Sequence, residues 1–380
     1  MREGRPAGRA GQGAASGPRE YRCAPGFFPD TVPAYHVLPL TWGANAYTNK
    51  GRRKCYCRPA MKIPSEIILV HSARLLDHDT GGGDHPETAD RLRCIEQRLQ
   101  SGSLAPHLHY VAPEPASHEA LLVFHSESWL LRFEEEVLSG RSYIGHPDNQ
   151  VCYDSFDVAL LSAGTGIKGV DVVEQDAGRC VFCATRPPGH HAEPSMSYGF
   201  CFLNNCVIAA RYWQNRYNRR RICVLDFDAH HGNGIQTAFE EDPETLYISI
   251  HEHPSFSYPG TGYAEETGMG PGEGTILNIP LTPGSSDQKV VAALDGVVRE
   301  KLEQFRPEAM IIAAGFDGHR LDDMSGLNYS TGLYSIIGER IGSWAGELCS
   351  GRVVSLLEGG YHLQSLAESV EAYLIALRGK

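Results

Sequence analysis

From Ile67 onward the chain repeats one unit: a short apolar run, a loop rich in Gly, Pro, His or Asp, and then a helix-like segment. Such a pattern restricts the chain to strands alternating with helices around a mainly parallel sheet. Strands are predicted over Ile67–His71, Arg179–Thr185, Ile222–Phe227, Thr245–Ile250, Ile276–Leu281, Ala309–Ala314 and Val353–Leu357. Helical segments such as Glu87–Leu99, Asn205–Tyr217, Asp287–Phe305 and Ser365–Leu377 would cover its faces. Just beyond five of the strand ends come Pro187–His191, Asp228–Asn233, His251, Asp317 and Glu358–Tyr361. Ligands of open parallel sheets bind outside the carboxyl ends of the strands, so these polar ends indicate one shared site.

With 380 residues, 42% of them hydrophobic, the chain can bury one large core, or a core and an appendage. Residues 1–60 are basic; residues 1–19 are rich in Gly, Ala, Arg and Pro, and residues 20–60 continue without clear periodicity. They read as a disordered extension or a misassigned start, with a cleaved organelle-targeting segment as the functional alternative; residues 61–380 are expected to form the folded domain. No apolar run approaches the roughly 18 residues that a membrane span requires, so a soluble, intracellular and most simply cytoplasmic protein is expected. The formal net charge of -12 argues against binding duplex nucleic acid and suits a cationic substrate. Eleven cysteines, with Cys180, Cys183, Cys201, Cys206, Cys223 and Cys349 inside apolar segments, read as buried thiols in a reducing compartment. Cys180 and Cys183 resemble a redox pair only by spacing, since strand alternation would turn them to opposite faces. Cys55 and Cys57 lack a second pair at metal-finger spacing and read as incidental thiols.

The octapeptide Asp226-Phe-Asp228-Ala-His230-His-Gly-Asn233 follows the apolar run Ile-Cys-Val-Leu. Continued strand alternation would place Asp226, Asp228 and His230 on one face, where two carboxylates and an imidazole need a counter-charge. Thr185-Arg-Pro-Pro-Gly-His190-His191 presents two imidazoles from a loop stiffened by proline, and imidazole serves as a general base near neutral pH. Asp317 ends the buried run Ile-Ile-Ala-Ala-Gly-Phe and could complete a metal shell; the plainer alternative is a helix-cap aspartate. Tyr361 follows a glycine pair and could meet a developing oxyanion, or be a half-buried packing tyrosine. Asp322 and Asp323 could select a cationic substrate or form a solvated acidic loop.

Together the Pro-Gly-His-His, Tyr-Gly-Phe-Cys-Phe-Leu-Asn-Asn, Asp-Phe-Asp-Ala-His-His-Gly-Asn-Gly, Ala-Gly-Phe-Asp and Leu-Glu-Gly-Gly-Tyr motifs resemble those of the histone deacetylase superfamily, which includes acetylpolyamine amidohydrolases. The resemblance spans about Leu69 to Leu377. It implies a three-layer α/β/α fold of arginase/deacetylase type with a central, mainly parallel sheet and one catalytic Zn²⁺ per chain. By the same resemblance Asp228, His230 and Asp317 are the metal ligands, with Fe²⁺ or Co²⁺ also suited to the site. His190 and His191 are the tandem histidines, Asp226 and Asn233 their partners, and Tyr361 the oxyanion donor. Gly199 and Phe200 form one wall of the acyl tunnel, Tyr258 the opposite wall, and Asp148 a rim contact to substrate backbone. A structural K⁺ near the backbone of residues 226–230 is also implied. Asn233 and Glu358 match the class II and bacterial branches; class I has Asp and Gly there.

The implied activity is hydrolysis of an N-acetyl amide, on acetyl-lysine in a protein or on a small acetylated amine such as an acetylpolyamine. His191 would remove the water proton, His190 would stay cationic beside Asp226, and Tyr361 would hold the oxyanion. A manganese ureohydrolase would need a second, carboxylate-rich metal set that the sequence does not offer, and a non-catalytic acyl-lysine reader would be favoured had His191 or Tyr361 been lost. Because no motif lies in residues 1–60, deleting them should leave kcat and KM nearly unchanged. A large loss of folding or turnover in the truncated protein would show that this stretch packs on the core.

Overall fold

The computed structural model describes residues 66–81, 85–176 and 180–379; the extension expected over residues 1–60, with Cys55 and Cys57, lies outside them. Among the described residues eight strands form one sheet: β1 (Ile67–Val70), β2 (Leu108–Val111), β3 (Cys180–Cys183), β4 (Ile222–Asp226), β5 (Thr245–Glu252), β6 (Ile276–Leu281), β7 (Ala309–Ala314) and β8 (Val353–Leu357). All neighbouring pairs are parallel and the order is β2-β1-β3-β8-β7-β4-β5-β6. The helices are α1 (Asp90–Ser101), α2 (His118–Leu121), α3 (Glu127–Leu138), α4 (Ser155–Gln175), α5 (Asn205–Tyr217), α6 (Asn233–Phe239), α7 (Asp287–Ala293), α8 (Arg299–Phe305), α9 (Thr331–Leu348) and α10 (Leu363–Leu377).

The three layers follow from the two-residue period of the strands. Cys223 and Leu225 of β4 and Met310 and Ile312 of β7 pack against Leu92 and Ile95 of α1, Ile337 and Ile341 of α9, and Val370 and Leu374 of α10. Ile222, Val224 and Ile311 face the other way, against Val170 and Val173 of α4, Val207 and Trp213 of α5, and Ile235 of α6. Cys180 and Cys183 do fall on opposite faces, and both are buried free thiols, as are Cys201, Cys206, Cys223 and Cys349. A third cluster joins α3, through Trp129 and Phe133, to Phe202 and Leu203.

Three departures from the predicted elements have local causes. Strand β2, Leu-His-Tyr-Val at the sheet edge, was not anticipated because it is only partly covered and lacks a wholly apolar run. The segment predicted as one helix over Asp287–Phe305 is broken between α7 and α8, where Gly296 leaves helical backbone (φ -105°, ψ -106°). Strand β4 stops at Asp226, one residue before the predicted end, so the polar residues that follow belong to a turn. No helix among the described residues is long and apolar enough to cross a membrane.

The strand order places the site. Motifs that are far apart in sequence follow β3, β8, β7 and β4, and these four strands are neighbours in the sheet. Helix α5 anchors one of the loops: Asn204 caps it by accepting from Val207 N at 3.1 Å and donates from its amide to Ala192 O at 3.0 Å, beside the histidine pair. The helix ends at Asn218, whose left-handed backbone (φ 53°) is tolerated by Asn better than by most residues.

Beneath the loops lies a buried ion network with no counterpart in the sequence reading. The Glu87 carboxylate accepts from Arg186 Nε at 2.8 Å and Arg91 Nη1 at 3.3 Å, and all three residues are buried. Arg186 also donates to Leu75 O and His78 O (3.1 and 2.6 Å), and Arg91 donates to Gly360 O at 2.6 Å and to Glu358 O. The network therefore ties the start of α1 to the loops after β3 and β8. Burial would push the Glu87 carboxyl up, but the charges of Arg186, His78 and Arg91 hold it at about 2. This contribution to stability is present above the unfolded carboxylate range and is lost as pH falls toward 2. Glu87→Gln, which keeps the shape but leaves two buried guanidinium groups undercompensated, should destabilise the fold by about 3–5 kcal/mol in urea titrations. A change below about 1 kcal/mol would show that the network is not an anchor.

Candidate metal and catalytic site

The turn after β4 curls its own carboxylates inward. Asp228 N donates to Asp226 Oδ1 at 3.1 Å and His230 N to Asp228 Oδ1 at 2.9 Å. Strand alternation therefore does not set the direction of all three side chains, as the sequence reading had assumed: Asp228 and His230 project from the turn. Asp226, the last strand residue, turns instead to His190 Nδ1 (3.2 Å) and the Tyr247 hydroxyl (3.1 Å).

The ligand atoms of Asp228, His230 and Asp317 all lie within 4.8 Å of one another, and all three residues are buried. Neighbouring loops lock their rotamers: Gly359 N donates to Asp228 Oδ2 at 2.7 Å and Ala229 N to Asp317 Oδ1 at 2.8 Å. A Cβ at Gly315 or Gly359 would overlap the Asp228 carboxylate, so both positions need glycine for close approach. His230 turns Nδ1 toward Asp317 Oδ2 (2.9 Å) and Asp228 Oδ1 (3.2 Å), while Nε2 lies 3.1 Å from Met324 O. A carbonyl only accepts, so Nε2 carries a proton, while Nδ1 faces two carboxylates, where a bound cation would take the place of its proton.

The electrostatics fit a cation. Burial and repulsion from Asp228 push the Asp317 carboxyl up to about 6, whereas Asp228, despite its burial, is held low by His190 and His230. Two adjacent buried carboxylates pulled in opposite directions are what a divalent ion would relieve. The O, N, O donor set suits such an ion. A second group, His190, Cys201 and Glu358, also brings its ligand atoms close together, but its members serve other hydrogen bonds.

The histidine pair flanks the ligands with ring centroids 3.9 Å apart. Burial disfavours charge on His190, but Asp228 and Asp226 raise it to about 10. His191, lowered by burial and by its imidazole neighbours, stays neutral, with Nδ1 2.9 Å from Asn233 Oδ1. The loop holding both rests on Glu358, which accepts from Gly189 N at 2.7 Å and His190 N at 3.1 Å. Glu358 is buried and its carboxyl is pushed up to about 7. The sequence reading gave it no task, although an acid directly after the apolar strand β8 was the available signal.

Tyr361 is positioned from behind. Asp322 Oδ2 accepts from Tyr361 N (2.6 Å) and His362 N (2.9 Å), while its Oδ1 accepts from Met324 N (3.2 Å). Asp322 is therefore buried and engaged, neither a solvated loop acid nor a free contact for a cationic substrate; Asp323 beside it is exposed. The Arg91 guanidinium lies 4.9 Å from the Tyr361 ring centroid, and burial pushes the phenol well above its usual range, so it remains a proton donor.

Phe200 packs edge-on to Tyr361 (5.7 Å) and to His85 (5.0 Å), and Tyr258 packs edge-on to His191 (5.0 Å). Gly199 and Phe200 both adopt left-handed backbone (φ 51° and 67°), unusual for a bulky aromatic residue. Asn149, which the sequence reading passed over, holds this turn: its Oδ1 accepts from Phe200 N at 2.9 Å and its amide donates to Ser197 O at 2.9 Å. Asp148, half-buried next to it, faces His146 Nδ1 at 2.5 Å and accepts from His85 through its backbone carbonyl. It thus lies beside the His85–Phe200 ring pair.

Comparison with known proteins gives a consistent result. Residues 85–377 match the family model of the histone deacetylase domain. Histone deacetylase 10, chloroplastic, of Oryza sativa subsp. japonica is 36% identical over 361 residues, covering 91% of this chain and 81% of that protein. A probable deacetylase of Archaeoglobus fulgidus is 37% identical over 310 residues, covering 81% and 85%. The crystal structure of the HDA15 HD domain superposes with a TM-score of 0.77 at 31% identity, covering 83% of this chain and 88% of that one.

If these three residues are the whole protein ligand set, Asp228→Ala and Asp317→Ala should each lose stoichiometric metal. Elemental analysis of the purified variants, with melting curves to confirm folding, checks this. A full complement of metal in both would refute the ligand set.

Proposed function

Because the chain belongs to the histone deacetylase family, we propose that it is a zinc-dependent amidohydrolase that removes acetyl from an N-acetylated amine. The observation that carries this reading is the cluster of Asp228, His230 and Asp317 beside one neutral and one charged imidazole. When bound there, Zn²⁺ supplies Lewis acidity, polarising an acyl oxygen and lowering the pKa of a water.

The remaining steps belong to the protein. His191, protonated on Nδ1 toward Asn233, has Nε2 free to take the proton from the attacking water and to return it to the departing amine. His190, held cationic by Asp228 and Asp226, stabilises negative charge beside the ligands. The Tyr361 hydroxyl donates to the carbonyl oxygen as it becomes an oxyanion. Phe200 and Tyr258 flank an unbranched acylated chain and exclude water from the reacting carbonyl, and Asp148 contacts the substrate at the rim. Acetyl-lysine in a protein and an acetylpolyamine both present such a chain, and turnover of a matched panel of the two distinguishes them.

Tyr361→Phe removes one hydroxyl and should lower kcat by roughly 10²–10³, the usual cost of an oxyanion donor, with KM, metal content and melting temperature little changed. Steady-state kinetics on a fluorogenic acetyl-lysine substrate measures this. Wild-type kcat in a zinc-loaded Tyr361→Phe protein would transfer the oxyanion role to another donor.

A further inference from the structure

His191 and His190 are adjacent in sequence yet are oriented by different means. His190 Nδ1 meets the Asp226 carboxylate directly at 3.2 Å, whereas His191 Nδ1 meets the side-chain oxygen of Asn233 at 2.9 Å. A primary amide is ambiguous: rotated by half a turn, it would offer its NH₂ to the ring and force the ring proton onto Nε2. In that tautomer His191 would have no lone pair for a water proton. Something must therefore hold Asn233 in one of its two orientations.

We infer that Glu193 is this positioning residue, fixing the tautomer of His191 through the Asn233 amide. The inference rests on the reading of His191 as the base. Asn233 Nδ2 lies 2.8 Å from Glu193 Oε1 and 3.4 Å from His191 O. A carboxylate and a carbonyl can only accept, so both partners require the NH₂ on their side, and the amide oxygen must then face His191. The reversed amide would set its oxygen against two acceptors and its NH₂ against the ring. Glu193 is itself held two residues beyond His191, where its backbone N–H donates to Met196 O at 2.9 Å. Asn233, the first residue of α6, is buried, so bulk water is a poor substitute partner. Interposing an amide gives His191 the same proton position that Asp226 gives His190, without a negative charge in contact with the imidazole.

Substituting Glu193 tests the hydrogen-bond polarity. Glu193→Gln can still accept and should retain kcat to within about twofold. Glu193→Ala removes the constraint and should lower kcat by roughly tenfold, the scale of one hydrogen bond. Glu193→Lys can only donate; it should reverse the amide and lower kcat by on the order of 10² or more, the scale of a lost general base. KM, metal content and melting temperature should change little across the series. Spectra of ¹⁵N-histidine-labelled full-length protein should show His191 protonated on Nδ1 in the wild type and on Nε2 in the Lys variant. Equal kcat in the Ala, Gln and Lys variants, or an Nε2-protonated His191 in the wild type, would overturn the inference. Loss of turnover in His191→Ala alongside unaffected Glu193 variants would leave the base in place and remove only Glu193's role, whereas full turnover in a metal-loaded His191→Ala would remove the base itself.

Discussion

The structure is organised around the compensation of buried negative charge at the carboxyl end of its sheet. Asp226, Asp228, Asp317 and Glu358 are all buried. Each accepts backbone N–H groups from its own or a neighbouring loop: Asp228 from Gly359, Asp317 from Ala229, and Glu358 from Gly189 and His190. Because buried carboxylates are costly without such partners, each loop is stable only in the conformation that serves its neighbour. The same hydrogen bonds that make burial tolerable therefore also align Asp228, Asp317 and the histidine pair.

The strand order makes this mutual bracing workable. The ends of β3, β8, β7 and β4 lie side by side, so residues separated by more than a hundred positions in the chain meet within hydrogen-bond distance. The Glu87 network adds a lower tier that ties α1 to the loops after β3 and β8. Sheet, network and acid-backed loops form successive layers of support.

Much of this was legible in the sequence, for a physical reason. The wholly apolar run Ala-Met-Ile-Ile-Ala-Ala gave β7 its observed bounds, because a central strand of a parallel sheet is covered on both faces. Edge strand β2 carries no such run, and Gly296 interrupts a helix without disturbing its apolar period. Within the site, residues that follow strand ends were visible as candidates. Those that act across the chain, such as Asn149 on Phe200, Asp322 on Tyr361 and Glu87 on Arg186, were not, since their spacing in sequence encodes nothing about contact. Asp322 is the instructive case: as text it is half of an acidic dipeptide, and only the fold shows that its charge is occupied.

Phe200 has a further consequence. Its left-handed backbone is held by an amide from residue 149, within the surface turn bounded by the Tyr143–Gln150 bridge, rather than by the sheet. The placement of this ring is therefore set by a segment that, among the described residues, shares no hydrogen bond with Asp228, His230 or Asp317. Sequence drift in residues 143–150 can move the Phe200 ring while leaving the cluster of Asp228, His230 and Asp317 intact. On the proposed function, substrate fit and metal binding would then vary as separate traits, one written in a turn and the other in the buried carboxylates.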